Sequence, residues 1–106
     1  MNKKVREALG RLREGLAELY SGRLKGVYLF GSHSRGDARE ESDVDVLIVL
    51  DKVRDYRKEI ENTSKLVGDL SLEYDLSISR VFVSEKRWRE DMSMFFLNVR
   101  EEAVRV

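Results

Sequence analysis

Two pairs of residues in the chain have types and spacing that can do chemistry. Gly31-Ser32 follows the apolar run Val27-Tyr28-Leu29-Phe30, and Asp43 and Asp45 precede the apolar run Val46-Leu47-Ile48-Val49-Leu50. A glycine leaving a strand permits positive φ and close backbone approach, so successive N–H groups can line up towards an anion. Ser32 adds a hydroxyl donor, and if Ser32 to Arg35 open a helical turn, their free N–H groups point the same way. Strand residues two apart share a face, with Cα atoms roughly 6.5–7 Å apart, so Asp43 and Asp45 aim two carboxylates into one space. Such a pair repels unless a cation lies between its members. Taken singly, each half has a plainer explanation: an ordinary Gly-Ser turn and a solvated strand end. Taken together, a phosphate held by the turn would meet a metal held by the acids.

Composition narrows what that metal can be. The 106 residues contain no cysteine and a single histidine, His33, which excludes thiolate zinc sites, multi-histidine sites and a cysteine nucleophile. Oxygen ligands remain, and they favour Mg²⁺, Mn²⁺ or Ca²⁺. A formal net charge of zero and no evident basic patch argue against a nucleic-acid surface. No apolar run approaches the roughly 20 residues that span a bilayer, and the N-terminus lacks the apolar core of a signal peptide. The expectation is one cytoplasmic domain over residues 1–106 with a single modest core and no membrane partner. His33 beside Ser32 does not make a Ser-His-Asp system, because adjacent side chains diverge and no nucleophile elbow surrounds them. It is expected to be an exposed loop histidine.

The elements that must position the two pairs can be read from periodicity. Val5, Leu9, Leu12, Leu16 and Leu19 mark the apolar stripe of a helix over about 3–21, with Ser21-Gly22 as its stop. Residues 25–30 read as a strand ended by Gly31, and residues 43–50 as a second, whose continuously apolar second half suits a central strand. A second helix is expected over about 53–74, with Val53, Tyr56, Ile60, Val67 and Leu70 buried and Gly68 a possible break. A third strand covers 76–83. Ser84 caps a helix that carries Trp88 and ends near Met92, Ser93 caps another, and Val104-Arg105-Val106 form an edge strand. Trp88, Phe95 and Phe96 can stack a base, although aromatics at helical spacing more often build core or interface. The order predicts an α/β domain, a small mixed sheet flanked by helices, with the first two strands as neighbours.

Gly31-Ser32-x-x-Arg35-Gly36, five further residues, then Ser42-Asp43-x-Asp45 and an apolar strand resembles the signature of the nucleotidyltransferases related to DNA polymerase beta. It is neither a Walker loop nor a dinucleotide-binding glycine motif. The short chain is similar to the minimal nucleotidyltransferases. The resemblance implies that Gly31, Ser32, Arg35 and Ser42 serve the triphosphate of ATP or another nucleotide, with Ser42 shaping the turn rather than reacting. Asp43 and Asp45 would hold Mg²⁺ (or Mn²⁺) as pyrophosphate leaves. Arg35, and with it Arg39, either contacts phosphate or pairs with Asp37, Glu40 or Glu41.

The family usually carries a third carboxylate on a neighbouring strand. Asp75 is the nearest candidate, as metal ligand and catalytic residue, if it starts the third strand. In another register Ser77 or Ser79 takes that position and Asp75 ends the helix. The implied activity is transfer of a nucleoside monophosphate, AMP from ATP, to an acceptor hydroxyl. The implied setting is that of an antitoxin paired with a small helical HEPN-type protein, with that partner or a second copy in a homo-oligomer completing the site. The other reading is a catalytically weak or inactive nucleotide-binding module that acts by interaction.

Overall fold

The structure is a computed structural model that describes residues 2–39 and 41–106. Helix α1, Lys3–Tyr20, is capped by Asn2, whose Oδ1 accepts from the N–H groups of Lys4 (2.6 Å) and Val5 (3.3 Å). It buries Val5, Ala8, Leu9, Leu12, Leu16 and Tyr20. Leu19, expected in that stripe, is 47% exposed, and Tyr20 takes the inward position one residue on. The helix ends as expected, but the positive φ of its stop falls on Ser21 (50°) rather than on Gly22, and a short 3₁₀ turn over Ser21–Arg23 leads into the sheet. Gly15 has a packing reason. A Cβ there would lie 2.6 Å from Leu66 Cδ1 of the second long helix, so its absence sets how closely the two helices approach.

The sheet comprises β1, Leu24–Phe30; β2, Val44–Leu50; β3, Ile78–Ser84; and β4, Val104–Arg105, in spatial order β3-β2-β1-β4. β1 runs antiparallel to β2 and β4, and β2 runs parallel to β3. The sheet is mixed, its first two strands are neighbours and β4 lies at the edge, as the sequence predicts.

β2 is buried on both faces. Val44, Val46, Ile48 and Leu50 pack with α1 and with α3, Tyr56–Tyr74, while Leu47 and Val49 pack with Val83, Phe96 and Val99. This second face is covered by α4, Glu85–Glu90, and α5, Met94–Glu102, which Ser84 and Ser93 cap through the N–H groups of Arg87 and Phe96. Trp88 stacks on Tyr28 with ring centroids 4.7 Å apart and is therefore core rather than a base platform.

Two boundaries differ from expectation. α3 begins at Tyr56, three residues past the expected start, because Asp55 supplies the cap to Lys58 N–H (3.2 Å), and it passes Gly68 unbroken. Its buried positions include Glu59 and Thr63, while Tyr56 is 45% exposed. α4 ends at Glu90, not near Met92. Among the described residues, no helix is long and apolar enough to cross a membrane.

Candidate nucleotide and metal site

The antiparallel pairing of β1 with β2 puts Phe30 opposite Asp45, so Gly31, the next residue, meets the start of β2. Gly31 has φ 77° and ψ −157°, a region essentially reserved for glycine. A Cβ on it would lie 2.3 Å from Asp45 Oδ2. The absence of a side chain is what lets the aspartate carboxylate lie against the turn. The two halves singled out in the sequence are therefore in contact.

After Gly31 the chain makes a single helical turn, α2, Ser32–Arg35, and then a loop back to β2. Ser34 Oγ donates to Gly31 O at 2.8 Å, fixing the turn. His33 is half-buried rather than exposed, and its Nε2 lies 3.2 Å from the carbonyl oxygen of Ser42, which accepts the ring N–H. Ser42 Oγ accepts from the backbone N–H of Arg39 at 2.9 Å. His33 and Ser42 thus staple the outgoing turn to the residues just before Asp43. Sequence reading missed the role of His33 because the carbonyl it holds belongs to a loop whose path is set by strand pairing.

Asp43 is exposed and Asp45 half-buried, on the face of the sheet that α5 covers. Burial first, and then the charge of Asp43, raise the carboxyl pKa of Asp45 above its ordinary value, against the opposing pull of His33 and Arg35. Two carboxylates crowded in this way are a donor set for a hard divalent cation. Among the described residues, no group of three or more His, Cys, Asp or Glu is arranged to hold a metal. Mg²⁺ commonly takes one or two carboxylates and completes its shell with substrate phosphate and water, so the pair fits it.

The cleft beside Asp45 has a volume of about 770 Å³. Gly31, Ser32, Arg35 and Asp45 form one wall, and Phe95, Asn98 and Glu102 of α5 form the other. Of the three aromatics considered for stacking, only Phe95 reaches it, 46% exposed and edge-on to Phe30 at 6.0 Å. Arg35 forms ion pairs with Asp37 (3.4 Å) and with Glu102 (3.1 Å). Of its other candidate partners, Glu40 lies outside the described residues and Glu41 forms no ion pair with it. Glu102 has no sequence signal: it follows Glu101 at a helix end and looks like part of a solvated charged face.

Asp75 is not brought to the pair. α3 extends to Tyr74, Asp75 closes it in the left-handed conformation (φ 51°, ψ 53°), and β3 starts only at Ile78. An aspartate tolerates that conformation better than most residues, and this decides its place as a helix cap. Leu76 N–H then bonds back to Ser71 O at 3.0 Å. The β3 residue level with Asp45 is Ser79, so the alternative register is the one adopted.

Residues 9–100 match the model of the nucleotidyltransferase domain family. MJ0604 of Methanocaldococcus jannaschii, which carries the provisional name protein adenylyltransferase, is 38% identical over 97 residues, covering 91% of each chain. A solved structure provisionally named a minimal nucleotidyltransferase superposes with a TM-score of 0.61 at 22% identity, over 96% of this chain and 95% of its own. One chain of a solved complex of tri-AMPylated Shewanella oneidensis HEPN toxin with MNT antitoxin superposes with a TM-score of 0.55 at 18% identity, over 96% of this chain and 67% of its own. These two likenesses speak for the fold, and the family match spans the turn, the aspartate pair and the sheet that joins them. The chain belongs to the nucleotidyltransferase domain family, with the polymerase beta-like fold that its Gly-Ser turn and Asp-x-Asp pair announce.

Proposed function

We propose that the protein is a Mg²⁺-dependent nucleotidyltransferase that moves AMP from ATP onto the hydroxyl of a protein acceptor. One observation carries the reading: Asp45 lies against Gly31, so the turn that would hold an anion and one member of the acid pair that would hold a cation line the same cleft. The relative at 38% identity, named for protein adenylylation, supports AMP as the transferred group and a protein as the acceptor. The likeness to a chain of the AMPylated HEPN–MNT complex supports a small helical HEPN-type protein as the partner and an antitoxin role for this chain.

In this reading residues 1–106 act as one nucleotidyltransferase domain in the cytoplasm, where ATP is available. Gly31, Ser32 and Arg35 hold and orient the triphosphate. Ser42 keeps the loop closed through Arg39 and His33, so the turn stays in register with the acids. Asp43 and Asp45 hold the divalent cation, with Mn²⁺ as an alternative. When bound, the cation neutralises charge that develops as the acceptor oxygen bonds to the α-phosphorus and pyrophosphate departs. Phe95 leaves an apolar rim on the cleft, which the partner or a second subunit covers.

A second reading has its own observation. With Ser79 level with Asp45 and Asp75 in a helix cap, the third family carboxylate is not supplied by β3, which favours a nucleotide-binding interaction module with weak or no transfer. Incubation with α-labelled ATP, Mg²⁺ and the HEPN-type protein separates the two. Transfer predicts label on the partner that falls about 100-fold or more in Asp43→Ala and Asp45→Ala, since a catalytic metal supplies several kcal/mol. No label, together with a rise in Tm on adding ATP and Mg²⁺, selects the binding module. Neither label nor a Tm rise rejects both readings.

A further inference from the structure

The cleft already holds an anion of the protein's own making. Glu102, at the last turn of α5, sends Oε1 to the backbone N–H of Gly31 (3.1 Å) and Oε2 to Arg35 Nη1 (3.1 Å). These are a backbone donor and a guanidinium that the phosphate-holding reading assigns to the nucleotide. The residue is not carried there by a loose tail. Val99 and Phe96 bury α5 against the sheet, Ala103 N–H bonds back to Val99 O at 2.8 Å, and the next residue, Val104, pairs with Leu29 in β4. The glutamate side chain is only 23% exposed. A fork-shaped carboxylate that accepts from one backbone donor and one arginine has the hydrogen-bonding pattern of a phosphate.

We propose that Glu102 is a built-in competitor for the phosphate position, so that a nucleoside polyphosphate enters by displacing this carboxylate from Gly31 and Arg35. The proposal rests on the nucleotide reading of the cleft. Displacement needs only side-chain rotation, because α5 and β4 hold the backbone on either side. Its cost is a tax on every ligand that uses those two donors: apparent affinity falls by the fraction of molecules in which Glu102 has swung away. While the cleft is empty, the same carboxylate keeps Arg35 folded over the turn. The residue therefore governs entry and has no part in the transfer step.

Glu102→Gln removes the charge while keeping shape and hydrogen-bonding capacity. Tripolyphosphate without metal is the probe, titrated calorimetrically into wild type and Glu102→Gln. The expected result is binding tighter by about tenfold in the variant, the factor for a site open in one molecule in ten. A second measurement needs no variant: in wild type, the Gly31 amide resonance should shift with tripolyphosphate as its acceptor changes. Equal or weaker binding by Glu102→Gln, or a Gly31 amide that does not move at saturation, overturns the competitor while leaving the nucleotide reading standing. Failure of both proteins to bind tripolyphosphate, and of wild type to bind ATP with Mg²⁺, overturns the nucleotide reading and the competitor with it.

Discussion

The two ends of β2 handle charge in opposite ways. Beyond its C-terminal end, Glu59 of α3 is only 5% exposed, yet both its oxygens are satisfied. Tyr20 Oη donates to Oε1 at 2.9 Å, Asn62 Nδ2 to the same oxygen at 3.3 Å, and Arg23 Nη2 to Oε2 at 3.0 Å. Arg23 also donates from Nε to Asp51 Oδ1 at 3.1 Å. Burial, and then the bond to Glu59, push the Tyr20 phenol well above its ordinary pKa, so it stays a donor. At the N-terminal end, Asp43 and Asp45 face each other's charge, and among the described residues no hydrogen-bond donor reaches either carboxylate. Paired charge at one end fastens α1, α3 and the sheet together. Crowded like charge at the other is tolerated in the folded chain without a hydrogen-bond donor. Burial alone does not distinguish structure from function here; the presence or absence of a partner does.

Removing a carboxylate from each end should change stability in opposite directions, whereas disturbing the turn costs both stability and binding. Glu59→Ala should lower unfolding free energy by about 2–3 kcal/mol, because the buried Tyr20 hydroxyl loses its acceptor and Arg23 its buried partner. Urea unfolding measures this, and ATP–Mg²⁺ binding to the folded fraction should be unchanged. Gly31→Ala should cost about 2 kcal/mol for the backbone conformation alone, and it should abolish nucleotide binding by forcing Asp45 away. Retention of both stability and binding would contradict the close contact at the site.

The smallest effect has the opposite direction. Asp45 in the folded chain holds its proton more tightly than in the unfolded chain, so its ionised form costs stability above the folded pKa. That cost disappears as pH falls through the ordinary carboxylate range. Asp45→Asn should therefore raise Tm at pH 7 by a few degrees, with the gap closing towards roughly pH 3. Calorimetry across that range checks it, and a lowered Tm at pH 7 would mean that Asp45 is favourably paired after all.

What could be read from the sequence was local. The Gly-Ser turn, the Asp-x-Asp pair, the caps Ser84 and Ser93 and the apolar run of β2 each declare themselves within a few residues. What escaped depends on partners far along the chain. Glu59 carries no local sign of burial, because the groups that satisfy it, Tyr20 and Arg23, lie 39 and 36 positions away. Thr63 is buried because Arg80 Nε donates to its hydroxyl at 2.8 Å across 17 positions. Glu102 reaches Gly31 across 71 positions. Asp75 stays between two registers in the sequence because strand alternation does not say where a helix stops: α3 runs to Tyr74, and the left-handed cap consumes the residue that would have led the strand.

The β1–β2 pairing also has a consequence for folding order. Its strands are joined by one short connection, whereas β2 cannot meet β3 until the whole of α3 lies between them. Loop closure costs less entropy when the chain enclosed is shorter, and local pairings favour speed. The hairpin that carries Gly31 and Asp45 is thus expected to assemble ahead of the crossover. If Asp43 and Asp45 hold Mg²⁺ as proposed, the ion supplied during refolding would find the two carboxylates already together, and it should accelerate the early phase rather than only stabilise the finished protein.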